Sequence, residues 1–130
     1  MRILFVCSGN TCRSPMAAAI CRARHPDWAV SSAGTWVGIA APASAYASEA
    51  AKAYGGDLGG HMSRQVTAAM LEEADAIVPM TSGHMRFIVQ NFPGCEPKVR
   101  FISEISDPFG GDYEEYARCA KQISKLVDAL

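Results

Sequence analysis

The segment Arg2–Pro15, RILFVCSGNTCRSP, changes character at Cys7. Before it stands a nearly continuous apolar run, the pattern of a strand buried on both faces of a sheet. After it come small and polar residues, then Ser14 and Pro15: a hydroxyl able to cap a helix, and a proline whose φ already suits a first helical turn. The segment therefore reads as a strand, a loop and a helix start.

The rest of the chain repeats that alternation. The helix continues through PMAAAICRARH and stops before Pro26, and Trp28–Ala33 reads as a second strand closed by Gly34. Pro42–Tyr54 is an alanine-rich helix ended by Gly55 and Gly56, and Thr67 caps AAMLEEAD. Ala76–Met80 is a third buried strand, Ser82–Phe92 a helix broken by Pro93-Gly94, and Val99–Ile102 a fourth short strand. Tyr113–Leu130 closes the chain as an amphipathic helix, with apolar residues at Tyr116, Ala120, Ile123, Val127 and Leu130. Strands alternating with helices predict one α/β domain over residues 1–130, with a four-stranded parallel sheet flanked by helices.

Composition narrows the function. The 130 residues carry 49% hydrophobic side chains, enough for one core, and a net charge of -1. No global basic field exists to attract nucleic acid or an anionic membrane, so any anion affinity must be local. No run approaches the ~18–20 apolar residues of a membrane span, and Met1–Cys7 is too short for a signal peptide. Five cysteines without a framework spacing suit reduced thiols and a cytoplasmic location. Cys7 and Cys12 lack a second ligand pair, and His25, His61 and His84 are scattered, so no metal is expected. His61 and His84 read as ordinary loop and helix residues, and Cys21, Cys95 and Cys119 as core thiols.

In open α/β sheets ligands gather beyond the carboxyl ends of the strands. The loop after Cys7 lies there and ends on a helix N-terminus, which presents N–H groups and a positive dipole end. Gly9 permits an unusual φ, Asn10 tolerates left-handed geometry, and Ser8 and Thr11 are small, so the backbone is able to close around a tetrahedral anion. Arg13 adds a planar fork for two oxygens of that anion. Cys7 sits at the base, where the same field favours the thiolate and is expected to lower its pKa. A thiolate facing a bound phosphorus atom is a nucleophile in place.

Three motifs, VCSGNTCRSPMA at Val6–Ala17, SSAGT at Ser31–Thr35 and DPFGG at Asp107–Gly111, resemble the bacterial low-molecular-weight protein tyrosine phosphatase family, which includes a protein-arginine-phosphatase branch. The resemblance implies a phosphoprotein substrate and a phosphocysteine mechanism with no metal or other cofactor. By position, it makes Cys7 the nucleophile and Arg13 the clamp on the phosphoryl oxygens. Asn10 then holds the loop's strained shape, Ser14 hydrogen-bonds the thiolate, and Asp107 is the general acid. The chemistry agrees, since a leaving oxygen or nitrogen needs a proton and Asp107 follows the fourth strand onto the sheet edge that carries Cys7. Pro108 stiffens the backbone there and Gly110-Gly111 allows the turn.

Ser8, Gly9, Asn10, Thr11, Cys12 and Ser14 are the expected phosphate-binding residues, while Trp36 and Phe109 are candidates to wall a slot for a flat substrate group. In the family the Thr11 position tends to be aliphatic in tyrosine-directed members and Thr in the phosphoarginine-directed branch, which tips the reading toward phosphoarginine. Cys12 has two readings: it shapes the loop, or it traps oxidised Cys7 as a disulfide. Two departures stand out. Only five residues separate Phe101 from Asp107, and Phe-Gly-Gly follows Pro108 in place of the paired tyrosines of the animal enzymes. Tyr113 and Tyr116 are expected to pack. An arsenate reductase, which needs a relay of further cysteines, and a non-catalytic anion-binding regulatory module are the alternatives.

Overall fold

The computed structural model describes all residues 1–130. Strand β1 (Arg2–Cys7) lies at the centre of a parallel sheet, between β2 (Ala29–Gly34) and β3 (Ala76–Pro79), in the order β2-β1-β3. Helices α1 (Arg13–Arg24), α2 (Ala45–Lys52), α3 (Ala68–Glu73), α4 (Ser82–Asn91) and α5 (Tyr113–Asp128) complete the α/β fold. Strand β1 is central because alternate residues feed two separate clusters. Ile3, Phe5 and Cys7 pack with Met16 and Ile20 of α1, Ala47 of α2 and Ile123 of α5. Leu4 and Val6 pack on the other face with Leu71 of α3 and Ile88 of α4. Each large side chain buried this way contributes roughly 1.5–3 kcal/mol, so both faces of β1 anchor the loop that follows it.

The expected fourth strand at Val99–Ile102 does not form, and the sheet has three strands. Residues 99–105 run beside β3, but the pairing amounts to one parallel bridge, Ile77 with Val99, and two hydrogen bonds. Arg100 N–H donates to Ile77 O at 2.8 Å and Ile105 N–H to Met80 O at 2.8 Å. The missing rung belongs to Pro79. The N–H of Met80 faces β1, where it reaches Val6 O, so the nitrogen of the preceding residue faces the opposite side. That nitrogen carries no hydrogen, and a continuous ladder cannot pass it.

Helix starts also sharpen. The second helix begins at Ala45 rather than Pro42, because the Ser44 hydroxyl accepts the Ala47 N–H at 3.3 Å and Pro42 and Ala43 remain outside. Thr67, Thr81 and Asp112 cap α3, α4 and α5 in the same way. Helix α1 differs, since it starts at Arg13 with Cys12 as its N-cap and no side-chain capping bond. Ser14 is thus inside the helix, and its hydroxyl is free for other work.

Gly34, at the carboxyl end of β2, explains how the loop lies so close to the sheet. A Cβ there would stand 2.4 Å from Ser8 O and 2.6 Å from Val37 Cγ2. Of the two residues able to take unusual backbone, Asn10 has the positive φ, at 57°, while Gly9 does not, and a Cβ on Gly9 would meet only Thr11 Oγ1 at 3.9 Å. Gly34→Ala should therefore cost about 1–3 kcal/mol, whereas Gly9→Ala should stay within about 0.5 kcal/mol of wild type. Urea unfolding of both variants checks the contrast, and equal costs would refute it.

Candidate active site

Beyond the carboxyl end of β1, the chain folds back on itself through residues 8–12 before entering α1. Asn10 makes the reversal. Its side chain is fully buried and all of its hydrogen-bonding groups are occupied. Nδ2 donates to Ser14 Oγ at 2.8 Å and to Ser32 Oγ at 3.0 Å, while Oδ1 accepts the Arg64 N–H at 3.0 Å. Its own carbonyl accepts a hydrogen bond from His61 Nε2 at 2.8 Å. A left-handed backbone at a non-glycine residue is costly in isolation, and these four bonds hold it in place.

The loop surrounds a cavity of about 300 Å³ lined by Cys7, Ser8, Gly9, Asn10, Thr11, Cys12, Arg13, Trp36, Asp107 and Phe109. Every candidate residue except Ser14 lines it. Ser14 lies beneath, with its Oγ 2.9 Å from Cys7 Sγ. Because that oxygen already accepts from Asn10, its hydrogen has two destinations, the sulfur or Ala33 O at 3.4 Å. A thiolate draws the hydrogen to itself, and a thiol releases it to the carbonyl.

The electrostatics of Cys7 correct one expectation. Burial pushes its thiol up from the ordinary value, against the Ser14 hydroxyl and backbone N–H, the Arg13 charge and the Asn10 N–H, all of which pull it down. Donors alone do not set this value, because the folded core also withdraws the sulfur from water. Burial likewise pushes Cys21 up to about 11 and Cys119 up to about 12, and neither lines the cavity. Cys12 and Cys7 are both free thiols, with Cys12 Sγ 3.4 Å from Ser44 Oγ and 3.5 Å from Tyr116 Oη.

Arg13 is buried and its fork is aimed from both sides. Nη1 donates to Ile105 O at 3.0 Å, and Nη2 stands 3.5 Å from both Ser8 Oγ and Asp107 Oδ2. Asp107 is half exposed, and its Oδ1 accepts the Phe109 N–H at 3.1 Å in a local turn that Gly110 completes at φ 80°. Residues far apart in sequence, 13 and 107, are thereby neighbours at one mouth. Trp36 and Phe109 flank that mouth and are 84% and 74% exposed, so neither is a core residue.

His61 and His84 are more than packing residues. His84 is buried, with Nε2 2.8 Å from Ser8 Oγ and Nδ1 3.0 Å from Thr81 Oγ1. One arrangement of donors runs Arg13 to Ser8, Ser8 to His84 Nε2, and His84 Nδ1 to Thr81. This needs a neutral imidazole. Burial, reinforced by the Arg13 charge and opposed by Asp107 and Glu104, pushes His84 down to about 4.

The fold and this site define a phosphatase class, and comparison with known proteins gives it a family. The model of the low molecular weight phosphotyrosine protein phosphatase family matches residues 2–130, and the chain belongs to that family. It is 39% identical to a protein-arginine-phosphatase from Geobacillus stearothermophilus, over 99% of this chain and 93% of that one. It is 36% identical to the low molecular weight protein-tyrosine-phosphatase Etp of Escherichia coli K12, over 82% of this chain and 76% of the relative. The structure of Vibrio vulnificus Wzb in complex with benzylphosphonate superimposes with a TM-score of 0.94 at 32% identity, covering 98% of this chain and 94% of that one. The protein is a phosphatase, and no helix in it is long and apolar enough to cross a membrane.

Two measurements follow from this geometry. Ser14→Ala removes a donor to the Cys7 thiolate, so the pH midpoint of Cys7 alkylation, resolved by mass spectrometry, should rise by about 1–2 units; an unchanged midpoint would remove Ser14 from the site. For His84, the unfolded chain takes up a proton near 6.5 while the folded one waits until about 4. Stability contributed by this group is thus full above the unfolded value and lost as pH falls. Between pH 7 and pH 4 the loss should be on the order of 2–3 kcal/mol, and His84→Gln should flatten that slope in pH-dependent urea unfolding.

Proposed function

We propose that the protein dephosphorylates phosphorylated protein side chains through a phosphocysteine on Cys7, with Asp107 as general acid and then base. The observation that carries this reading is the convergence of the Cys7 sulfur, the Arg13 fork and the Asp107 carboxyl on one cavity. In the first step the Cys7 thiolate attacks phosphorus and the bond from phosphorus to the leaving oxygen or nitrogen breaks. The leaving atom takes the Asp107 proton. In the second step water attacks the phosphocysteine and gives its proton to Asp107. The sulfur–phosphorus bond then breaks, releasing inorganic phosphate and the thiolate. Arg13 and the loop N–H groups balance the charge on the equatorial oxygens throughout.

Phosphoarginine is the preferred substrate class in this reading, with phosphotyrosine second. Two observations support the order. Thr11 lines the cavity and brings a hydroxyl to it, and the protein-arginine-phosphatase from Geobacillus stearothermophilus is 39% identical, against 36% for the tyrosine-directed Etp. Ser8, Gly9, Asn10 and Cys12 would hold the phosphoryl group through the loop backbone, while Trp36 and Phe109 would flank the group it leaves.

Cys7→Ser should abolish turnover. Asp107→Asn should reduce kcat by roughly 10²–10⁴ while leaving inhibition by inorganic phosphate within a few-fold; loss of phosphate affinity would demote Asp107 to a structural role. Thr11→Ile should shift kcat/KM from phosphoarginine peptides toward phosphotyrosine peptides. If that ratio does not move, Thr11 does not set the preference.

A further inference from the structure

Trp36 stands at the mouth of the cavity, yet its exposure means that packing does little to hold the ring. Its position depends on its backbone. On the inner side, Thr35 N–H donates to Cys7 O at 2.8 Å and Trp36 N–H to Ser8 O at 3.1 Å. On the outer side a single side chain grips the peptides before and after it. Gln65 Oε1 accepts the Val37 N–H at 2.8 Å, and Gln65 Nε2 donates to Thr35 O at 2.8 Å.

The clamp is itself anchored. Gln65 forms a parallel bridge with Gly34, in which Gly34 N–H donates to Arg64 O at 2.9 Å and Val66 N–H to Gly34 O at 2.8 Å. The Arg64 N–H in turn donates to Asn10 Oδ1 at 3.0 Å. One short run of chain therefore serves the anion loop through Arg64 and the aromatic wall through Gln65. Only a side chain with one donor and one acceptor fits the second task, because the clamp must accept from one peptide and donate to another.

We infer that Gln65 is a positioning residue for substrate selection: it fixes Trp36 over the mouth, so it sets affinity for the group attached to phosphorus and not for the phosphoryl group itself. This rests on Trp36 flanking the leaving group, as proposed above. Gln65 touches neither the substrate nor the reacting atoms.

The test uses a Trp28→Phe background, which leaves Trp36 as the sole tryptophan of the two in the chain. In Gln65→Ala, KM for an aryl phosphate should rise roughly tenfold with kcat nearly unchanged, while the inhibition constant of inorganic phosphate stays within twofold and Trp36 fluorescence anisotropy falls. Gln65→Glu, which keeps the acceptor and loses the donor, should give a smaller change in the same direction. Trp36→Ala combined with Gln65→Ala should be no worse than Trp36→Ala alone. Unchanged KM and anisotropy would overturn the inference, as would a phosphate inhibition constant that rises in step with KM. Should the wild type turn over neither the aryl phosphate nor a phosphoarginine peptide, the phosphocysteine mechanism falls, and the anisotropy alone then decides whether Gln65 holds Trp36.

Discussion

The site hangs on one buried amide. Asn10 reverses the chain in a left-handed conformation, and its side chain reaches Ser14 beneath the loop, Ser32 on β2 and Arg64 beyond it. Each of those partners has a second task. Ser14 faces the sulfur, Ser32 belongs to the sheet, and Arg64 belongs to the run that pairs with Gly34. An aspartate would keep the acceptor and lose both donors, and a glycine would keep the backbone and lose all three bonds. Asparagine meets the backbone requirement and the wiring together.

Desolvation and hydrogen bonding compete at Cys7, and their balance explains why the cradle is built from so many donors. A sulfur at the end of a central strand is necessarily out of water, and its charged form is disfavoured there. The loop answers with N–H groups, a hydroxyl and a guanidinium at short range. The histidines belong to the same economy. Neutral His84 supplies a polar contact to Ser8 without adding a second cation beside Arg13, and His61 reaches the Asn10 carbonyl.

Much of this was legible from local pattern. The apolar run ending at Cys7, the loop, and the placement of Asp107 on the same sheet edge follow from strand–helix alternation, and Thr67 caps a helix where its position suggests one. Ser14 broke that rule because its hydroxyl faces a buried sulfur, a partner seven residues back that capping logic does not consider. His84, Gln65 and Arg64 were not legible. Their roles arise from contacts 76, 28 and 54 residues away in the chain, and nothing in their immediate neighbours announces them. The upward push on the Cys7 pKa is hidden from the sequence for a related reason, since burial is a property of the assembled core.

Pro79 carries one more implication. Because it ends the pairing beside β3, the stretch from Arg100 to Ile105 is fastened to the sheet at its two ends and not between them. Chain fastened only at its ends changes length at little entropic cost. The short approach from Phe101 to Asp107 is one setting of that spacer. A proline in the third strand thus uncouples the acid-bearing loop from the core, so that the span before Asp107 can change length while Cys7 and Arg13 stay in register.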